Sequence, residues 1–215
     1  MPSPPCLIII QEQKHWGQSE MPDIAKYIIT LTVICLIAAA ILAGVYSVTK
    51  EPIAISERQE KLKAIKEVLP PFSNEPDKEE EKLLIKDKET KVEKDIYFYP
   101  GKNKEGQLVG VAIQNVSKTG YGGDIALMIG ANMKGEIQGL YILNYAETPG
   151  LGSKINENWF KTQFVGKSLS KNKFSVKKDG GEIDSITGAT ISSRAVTYAV
   201  EEGLEVFKEK YLKHK

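Results

Sequence analysis

From residue 27 to residue 49 the chain carries no charged side chain and is dominated by Ile, Leu, Val and Ala. A helix over this stretch, rising about 1.5 Å per residue, is long enough to cross a hydrocarbon core of about 30 Å, so the pattern predicts one membrane-spanning helix. The pattern then changes. Over residues 52–69, Ile55, Leu62, Ile65, Val68 and Leu69 recur among Lys, Glu and Arg, which predicts a helix continuing from the membrane toward a folded domain and stopped by Pro70 and Pro71. Residues 74–94 are dense in Glu, Lys and Asp and read as a solvated surface helix or loop.

β-rich, alternating runs follow. Residues 95–99 and 107–116 flank the turn-forming residues 100–106, and residues 124–131 and 136–145 flank Asn132-Met133-Lys134-Gly135, so two hairpins are predicted. Between them stand Gly120, Tyr121, Gly122 and Gly123. Three glycines in four residues predict a strained or closely approached backbone, where Tyr121 either stacks on a ring or covers the sheet edge. Residues 155–164 read as a short helix with Trp159, Phe160 and Phe164 facing a core, and residues 167–178 as a polar, strand-like stretch turned by Gly180-Gly181. The last helix, expected over 192–211 with Ser192 or Ser193 as N-cap, repeats Val196, Ala199, Val200, Gly203, Leu204 and Phe207 at three- and four-residue spacing. The fold class is α+β: an N-terminal transmembrane helix, then a mostly antiparallel sheet flanked by helices. The expected parts are an N-terminal extension (1–20), the span (27–49), a juxtamembrane helix and charged connector (50–94) and a domain over 95–215.

In the extension, Pro2, Pro4 and Pro5 precede an apolar run over 7–10 that is too short for a signal-peptide core. Met21-Pro22-Asp23 leads straight into the span, so Met21 is the expected start, with residues 1–20 disordered or mis-assigned. Charge narrows the function classes. With 29 Lys+Arg against 28 Asp+Glu the net charge is +1, and no overall basic field points to nucleic acid. The two cysteines, Cys6 and Cys35, form neither a disulfide framework nor a CxxC pair, so no zinc or iron–sulfur site of the chain's own is expected, and Cys35 reads as a small buried hydrophobe within the span. His15 and His214 fall in the expected terminal tails. There is no GxGxxG after a strand and no Walker loop, so NADH oxidation and ion translocation are not assigned to this chain. Lys26 precedes the span while Lys50, Arg58, Lys61 and Lys63 follow it, a positive-inside count that favours a cytoplasmic domain.

Two stretches carry candidate chemistry. In residues 184–193 a small-residue loop feeds the start of the last helix. Gly188 permits a tight path, and the amides of a first helical turn have no intrahelical partners and attract anions. By this physics alone the loop is either a phosphate site or a glycine turn with a capped helix. In residues 147–152, Pro149-Gly150 signals a type II turn, Gly152 adds freedom, and Glu147 and Thr148 bring polar groups; as a bare sequence this is an ordinary strand-to-helix connection.

Asp184, Thr187-Gly188-Ala189-Thr190 and Ser192 resemble the flavinylation motif of the FMN-binding domain family: Asp, two variable residues, Ser/Thr-Gly-Ala-Ser/Thr, one variable residue, Ser/Thr. Glu147-Thr148-Pro149-Gly150-Leu151-Gly152 is similar to that family's other signature, a turn lying against the flavin. The resemblance runs from about residue 21 to the C-terminus. Within the family it is strongest to the G subunits of the Rnf electron-transport complex, with the C subunits of the sodium-pumping NADH:quinone oxidoreductase as near relatives.

The resemblance implies FMN joined through a phosphoester to Thr190, with Thr187, Gly188, Ala189 and Ser192 around the attachment point. It makes Glu147, Thr148, Gly150, Leu151 and Gly152 a second wall of the flavin site, and gives Tyr121 a ring to stack on. It implies attachment by a separate flavin transferase that takes FAD as donor and magnesium as helper, because a threonine hydroxyl is a poor nucleophile at neutral pH. Asp184 is either read by that enzyme or caps a turn. Membership further implies a single-pass protein of the inner (cytoplasmic) membrane with its domain on the extracytoplasmic side, against the charge count. The partners implied are the bilayer and the other membrane and iron–sulfur subunits of a complex that couples electron transfer between ferredoxin and NAD to sodium or proton movement. The chain would then be a redox subunit and not an enzyme alone. The alternatives are a C-type subunit of the quinone reductase or another flavinylated membrane redox protein, and a non-redox membrane-anchored interaction module whose glycines only make turns.

Overall fold

A computed structural model describes residues 23–213. The expectations for residues 1–20, Cys6, His15, Met21 and His214 lie outside the described residues. The chain divides into two compact units between Ala54 and Ile55.

The first unit holds the apolar part of helix α1 (Asp23–Val68), where an 18-residue window averages a hydropathy of 2.8 with none of it buried in protein. Ile28, Leu31, Ile34, Leu36, Ile41 and Leu42 are all exposed, on every side of the helix. A helix apolar all round suits either a bilayer or a protein interior, and none of this window is covered by the described residues. Thr30, Thr32, Ser47 and Thr49 donate their hydroxyls to carbonyls four residues back at 2.8–2.9 Å, so these polar side chains are satisfied without water. Cys35 sits on the same apolar surface and is exposed, not buried in protein, because none of the described residues covers the helix there.

In the second unit the end of α1 buries Ala64, Ile65 and Val68, and the helix stops at Val68 ahead of Pro70-Pro71. Five strands form one antiparallel sheet in sequence order: β1 (Glu81–Lys86), β2 (Glu93–Lys102), β3 (Leu108–Ser117), β4 (Ile125–Asn132) and β5 (Ile137–Asn144). Alternation along the strands feeds two layers. Ile96, Phe98, Val111, Ile113, Leu127 and Ile129 point to the core shared with helix α3 (Thr190–Phe207). Tyr99, Ala112 and Met128 point the other way, to Ala64, Ile65 and Val68.

Several local expectations change. Residues 74–94, read as a surface helix or loop, contribute β1. Among the described residues it is an edge strand paired only to β2, so Leu83-Leu84-Ile85 needs little burial, and the flanking Glu and Lys protect its other edge. The first hairpin loop is shorter than predicted because Pro100 and Gly101 belong to β2. β1 pairs β2 only as far as Phe98, so Pro100 has one neighbouring strand, an edge position that tolerates the missing N–H. The helix expected over 155–164 is three short pieces: a 3-10 turn (Gly152–Asn156), α2 (Asn158–Lys161) and a second 3-10 turn (Thr162–Phe164). Phe160 and Phe164, four apart, share a face and meet edge-on at 5.6 Å, while Trp159 points away, 45% exposed, with its indole donating to Glu157. α3 starts at Thr190 after Ala189, so Ser192 and Ser193 are buried in its first turn and neither is the N-cap.

The stretch over 167–178 forms no strand, only an isolated parallel bridge between Val176 and Ile183 and a 3-10 turn at Lys177–Asp179. Glu182 gathers it by accepting hydrogen bonds from Lys167 Nζ (2.6 Å), Asn172 Nδ2 (2.9 Å) and the Lys173 amide (3.2 Å). These bonds, Lys167 first, hold its pKa down at about 2. A carboxylate depressed in the folded state contributes stability above its unfolded pKa and loses it as pH falls through the folded one. Thermal melts of Glu182→Gln should therefore lie below wild type at pH 6 and converge with it as pH drops from about 4.5 to about 2. Parallel melting curves across that range would contradict this role.

Candidate functional site

The start of α3 meets the loop after β5. Ala189, the residue before the helix, makes no side-chain cap bond. The entry is pinned from inside instead: Ser193 Oγ accepts from the Ile186 amide (2.9 Å) and donates to the Ala189 carbonyl (3.0 Å). Gly188 turns the chain in at φ +79°, a left-handed conformation costly for other residues, and a Cβ there would stand 3.2 Å from Leu151 Cδ2. The first-turn amides of an uncapped helix are open donors, with the positive end of the helix dipole behind them and no acidic residue among the first-turn side chains.

The hydroxyls of this turn have different fates. Thr197 donates to the Ser193 carbonyl (2.8 Å), Ser193 to Ala189, and Ser192 to Glu147 Oε2 (2.7 Å). Thr190, as the first helical residue, has no helical carbonyl four residues behind it. Its Oγ1 accepts a hydrogen bond from Lys178 Nζ at 3.0 Å and faces the cavity.

Glu147 is buried and ties three segments together. Its Oε1 accepts from the Gly122 amide (3.3 Å) and its Oε2 from Ser192, joining the Gly120–Gly123 loop, its own loop and α3. The glycine-rich loop lies close against the 146–147 backbone, as the sequence predicts; a Cβ on Gly122 would be 2.0 Å from the Ala146 carbonyl oxygen. The turn at Pro149-Gly150 closes with the Leu151 amide donating to the Thr148 carbonyl (3.2 Å), Gly150 at φ +75°, and its amide held by Ser153 Oγ (2.9 Å).

A cavity of about 540 Å³ lies between these loops and α3, in the range of small-molecule sites. Tyr121 (69% exposed), Leu151 and Ile191 give it apolar walls, and Glu147, Lys178 and Thr190 supply polar groups. Thr148, Gly152, Gly188, Ala189 and Ser192 also line it. Gly150 shapes the turn without lining, and Thr187 stays outside. Asp184 is outside too: its carboxylate pairs with Lys177 (2.8 Å), and its backbone amide donates to Gln163 (2.7 Å). Lys178 was not legible as a site residue, since it lies in a stretch of mixed polar residues with no motif around it. Among the described residues, no group of three or more His, Cys, Asp or Glu converges to hold a metal.

Gly152 sits against the buried Glu147–Ser192 pair. A Cβ there would fall 2.4 Å from Glu147 Oε2 and 2.8 Å from Ser192 Oγ, so Gly152→Ala must separate that buried pair. Overpacking of this kind costs about 1–3 kcal/mol. The variant should lower the denaturation midpoint accordingly and weaken retention of any ligand in the cavity; an unchanged midpoint would show that the loop yields freely.

Residues 120–205 match the FMN-binding domain family, and residues 21–68 match the RnfG N-terminal region. The chain is 31% identical over 189 residues to the G subunit of the ion-translocating oxidoreductase complex of Aliivibrio fischeri, covering 85% of this chain and 90% of that one. It is 36% identical over 184 residues to the G subunit of the corresponding complex of Stutzerimonas stutzeri, covering 82% of this chain and 78% of that one. A crystal structure of the C subunit of the Na(+)-translocating NADH-quinone reductase from Parabacteroides distasonis superposes with a TM-score of 0.52 at 22% identity, over 74% of this chain and 96% of that one, a likeness of fold.

Proposed function

Since the chain belongs to the family of G subunits of ion-translocating oxidoreductase complexes and carries an FMN-binding domain, we propose that it holds FMN covalently through a phosphoester to Thr190 and passes electrons within such a complex. The observation that carries this reading is the state of the Thr190 hydroxyl: alone among the α3 hydroxyls described above, it is not spent on a helix carbonyl or a buried carboxylate, and it faces the cavity from the mouth of an uncapped helix.

The residues present fit FMN. The open amides at the start of α3 suit a phosphate. The glycine at 188 lets the backbone approach, and Leu151, Ile191 and Tyr121 offer apolar faces to a flat ring. Thr148 and Gly152 complete the second wall, while buried Glu147 braces that wall against Ser192. When bound, the flavin supplies one- and two-electron redox chemistry; the chain fixes its position and excludes water from one side of it.

Threonine is a weak nucleophile, and among the described residues the hydrogen-bond partner of Thr190 Oγ1 is a donor, the Lys178 ammonium, so attachment falls to a separate flavin transferase using FAD and magnesium. Asp184, exposed six residues upstream, is available to be read by that enzyme. The partners follow from the family: the other membrane and iron–sulfur subunits of a complex working between ferredoxin and NAD. α1 anchors the protein in the bilayer, and the domain is assigned to the extracytoplasmic side. Of the cations after the span, Arg58 and Lys61 lie within the folded unit, where they contact Asp77 (2.7 Å) and Glu80 (3.5 Å), and a long folded domain translocates largely regardless of its charge, which supports giving the positive-inside count less weight here.

The test is the intact mass of the full chain after expression with a flavin transferase, with peptide mapping of the modified residue. A mass raised by one esterified FMN, mapped to Thr190, is the expected result. An unmodified mass under those conditions overturns the reading.

A further inference from the structure

We infer that the Lys177–Asp179 turn is a clasp on the attachment segment, and that Lys178 is the positioning residue that orients the Thr190 hydroxyl for flavin transfer and then neutralises the phosphodiester; this rests on attachment at Thr190. Three consecutive side chains of one short turn each hold a different part of the 184–194 segment. Lys177 Nζ donates to Asp184 Oδ2 (2.8 Å), Lys178 Nζ to Thr190 Oγ1 (3.0 Å), and Asp179 receives both Arg194 Nε and a terminal guanidinium nitrogen (2.7 Å each). The backbone adds a link just upstream of that segment, the Lys177 amide donating to the Ile183 carbonyl (2.8 Å). The bidentate Arg194 bond is the rigid member, and it holds the Asp179 carboxyl below its usual range. With one end of the turn fixed on α3, the Lys178 ammonium is set beside a single oxygen.

An ammonium only donates. Thr190 Oγ1 is therefore the acceptor in this contact, and its own proton must point away from Lys178, free for a base brought by the incoming enzyme. During transfer the bond from Thr190 Oγ1 to the FMN phosphorus of FAD forms, and the pyrophosphate P–O bond breaks. AMP leaves with that electron pair, and the hydroxyl proton passes to the base; no redox change occurs. Positive charge beside Oγ1 stabilises the negative charge that develops there. The product phosphodiester keeps one negative charge, which then lies between Lys178 and the start of α3.

The experiment uses the purified, unflavinylated full-length chain in detergent, incubated with flavin transferase, FAD and magnesium. Covalent flavin is followed by fluorescence after denaturing electrophoresis, and the endpoint by intact mass. Lys178→Met should slow initial incorporation about 10- to 100-fold, the span expected for losing a hydrogen bond to a charged group. Lys178→Arg should restore most of the rate, and Asp179→Asn, which loosens the turn without touching the ammonium, should fall between. Because Lys178 is exposed, its variants should melt with wild type, which separates a rate effect from a folding defect. Lys178→Met loading at the wild-type rate, or Lys178→Arg loading as slowly as Lys178→Met, overturns the inference while leaving Thr190 in place. A wild-type chain that takes no flavin at Thr190 overturns both.

Discussion

Thr190→Val should lose covalent flavin completely and keep its fold. Valine preserves the β-branched shape and has nearly the helix propensity of threonine, so α3 should still begin at residue 190. The hydroxyl it removes makes one contact, to exposed Lys178, so the stability change should stay within about 1 kcal/mol. Thr190→Ser keeps the nucleophilic oxygen at the helix mouth and should still be flavinylated. The two variants together separate chemistry from packing: flavin fluorescence surviving a denaturing gel should be present in wild type and serine and absent in valine. A valine variant carrying the full FMN mass would place the attachment elsewhere. Neighbouring Ser192 and Ser193 are poor substitutes, because both are buried and their protons are already given to Glu147 and to the Ala189 carbonyl.

Lys94→Met should produce the largest loss of stability. The Lys94 ammonium, 4% exposed, lies 2.7 Å from Asp87 and 2.5 Å from Glu202, and it also donates to the Val116 carbonyl (2.8 Å). Asn115 reaches the same Glu202 (3.2 Å) and the Ala199 carbonyl (2.8 Å), so the cluster ties β2 and β3 to α3. Methionine fills much of the volume but leaves two buried carboxylates without their cation. Breaking a buried pair in this way costs about 3–5 kcal/mol.

The pH dependence follows in two parts. In wild type, burial pushes the Asp87 carboxyl up, but Lys94 and the Thr90 and Glu89 amides outweigh it and hold the pKa below its usual value. That contribution is present above the unfolded pKa and fades as pH falls. In the variant, Asp87 keeps the burial that pushes its pKa up and loses the Lys94 contact that held it down, so the penalty is fully felt at neutral pH and shrinks as pH falls and a proton binds. The difference in denaturation midpoint should therefore be greatest near pH 7 and narrow toward pH 4. Replacing Lys94, Asp87 and Glu202 together by uncharged residues should cost less than Lys94→Met alone. A single variant within 1 kcal/mol of wild type at pH 7 would show that water reaches the site.

Much of this was legible in the sequence. An uncharged apolar run can only be solvated by lipid or by a protein interior, so the span was readable without partners. The period-2 runs gave β3, β4 and β5 within a residue or two, and the three- and four-residue spacing from Val196 to Phe207 gave the buried face of α3. The segment 187–190 was readable because its conformation is local: a left-handed glycine followed by a helix start needs only its own neighbours. Where the pattern misled, a contact outside the element's own periodic run was responsible. Leu83-Leu84-Ile85 became a strand because β2 offered hydrogen bonds, and the serines expected to cap α3 were drawn inward by Glu147 and by the Ile186 amide.

The sequence by itself thus determined an anchored α+β chain with a hydroxyl-bearing residue at a helix mouth, since periodicity and glycine chemistry act over a few residues. Only the tertiary structure decided what faces that hydroxyl. It brought Glu147 to Ser192 from the far side of the cavity, and it set Lys178 on Thr190 through a turn clamped by Asp179 and Arg194. Periodicity tells which side of an element is apolar, but charged side chains at a surface follow no period, and their partners are fixed only when packing brings the loops together.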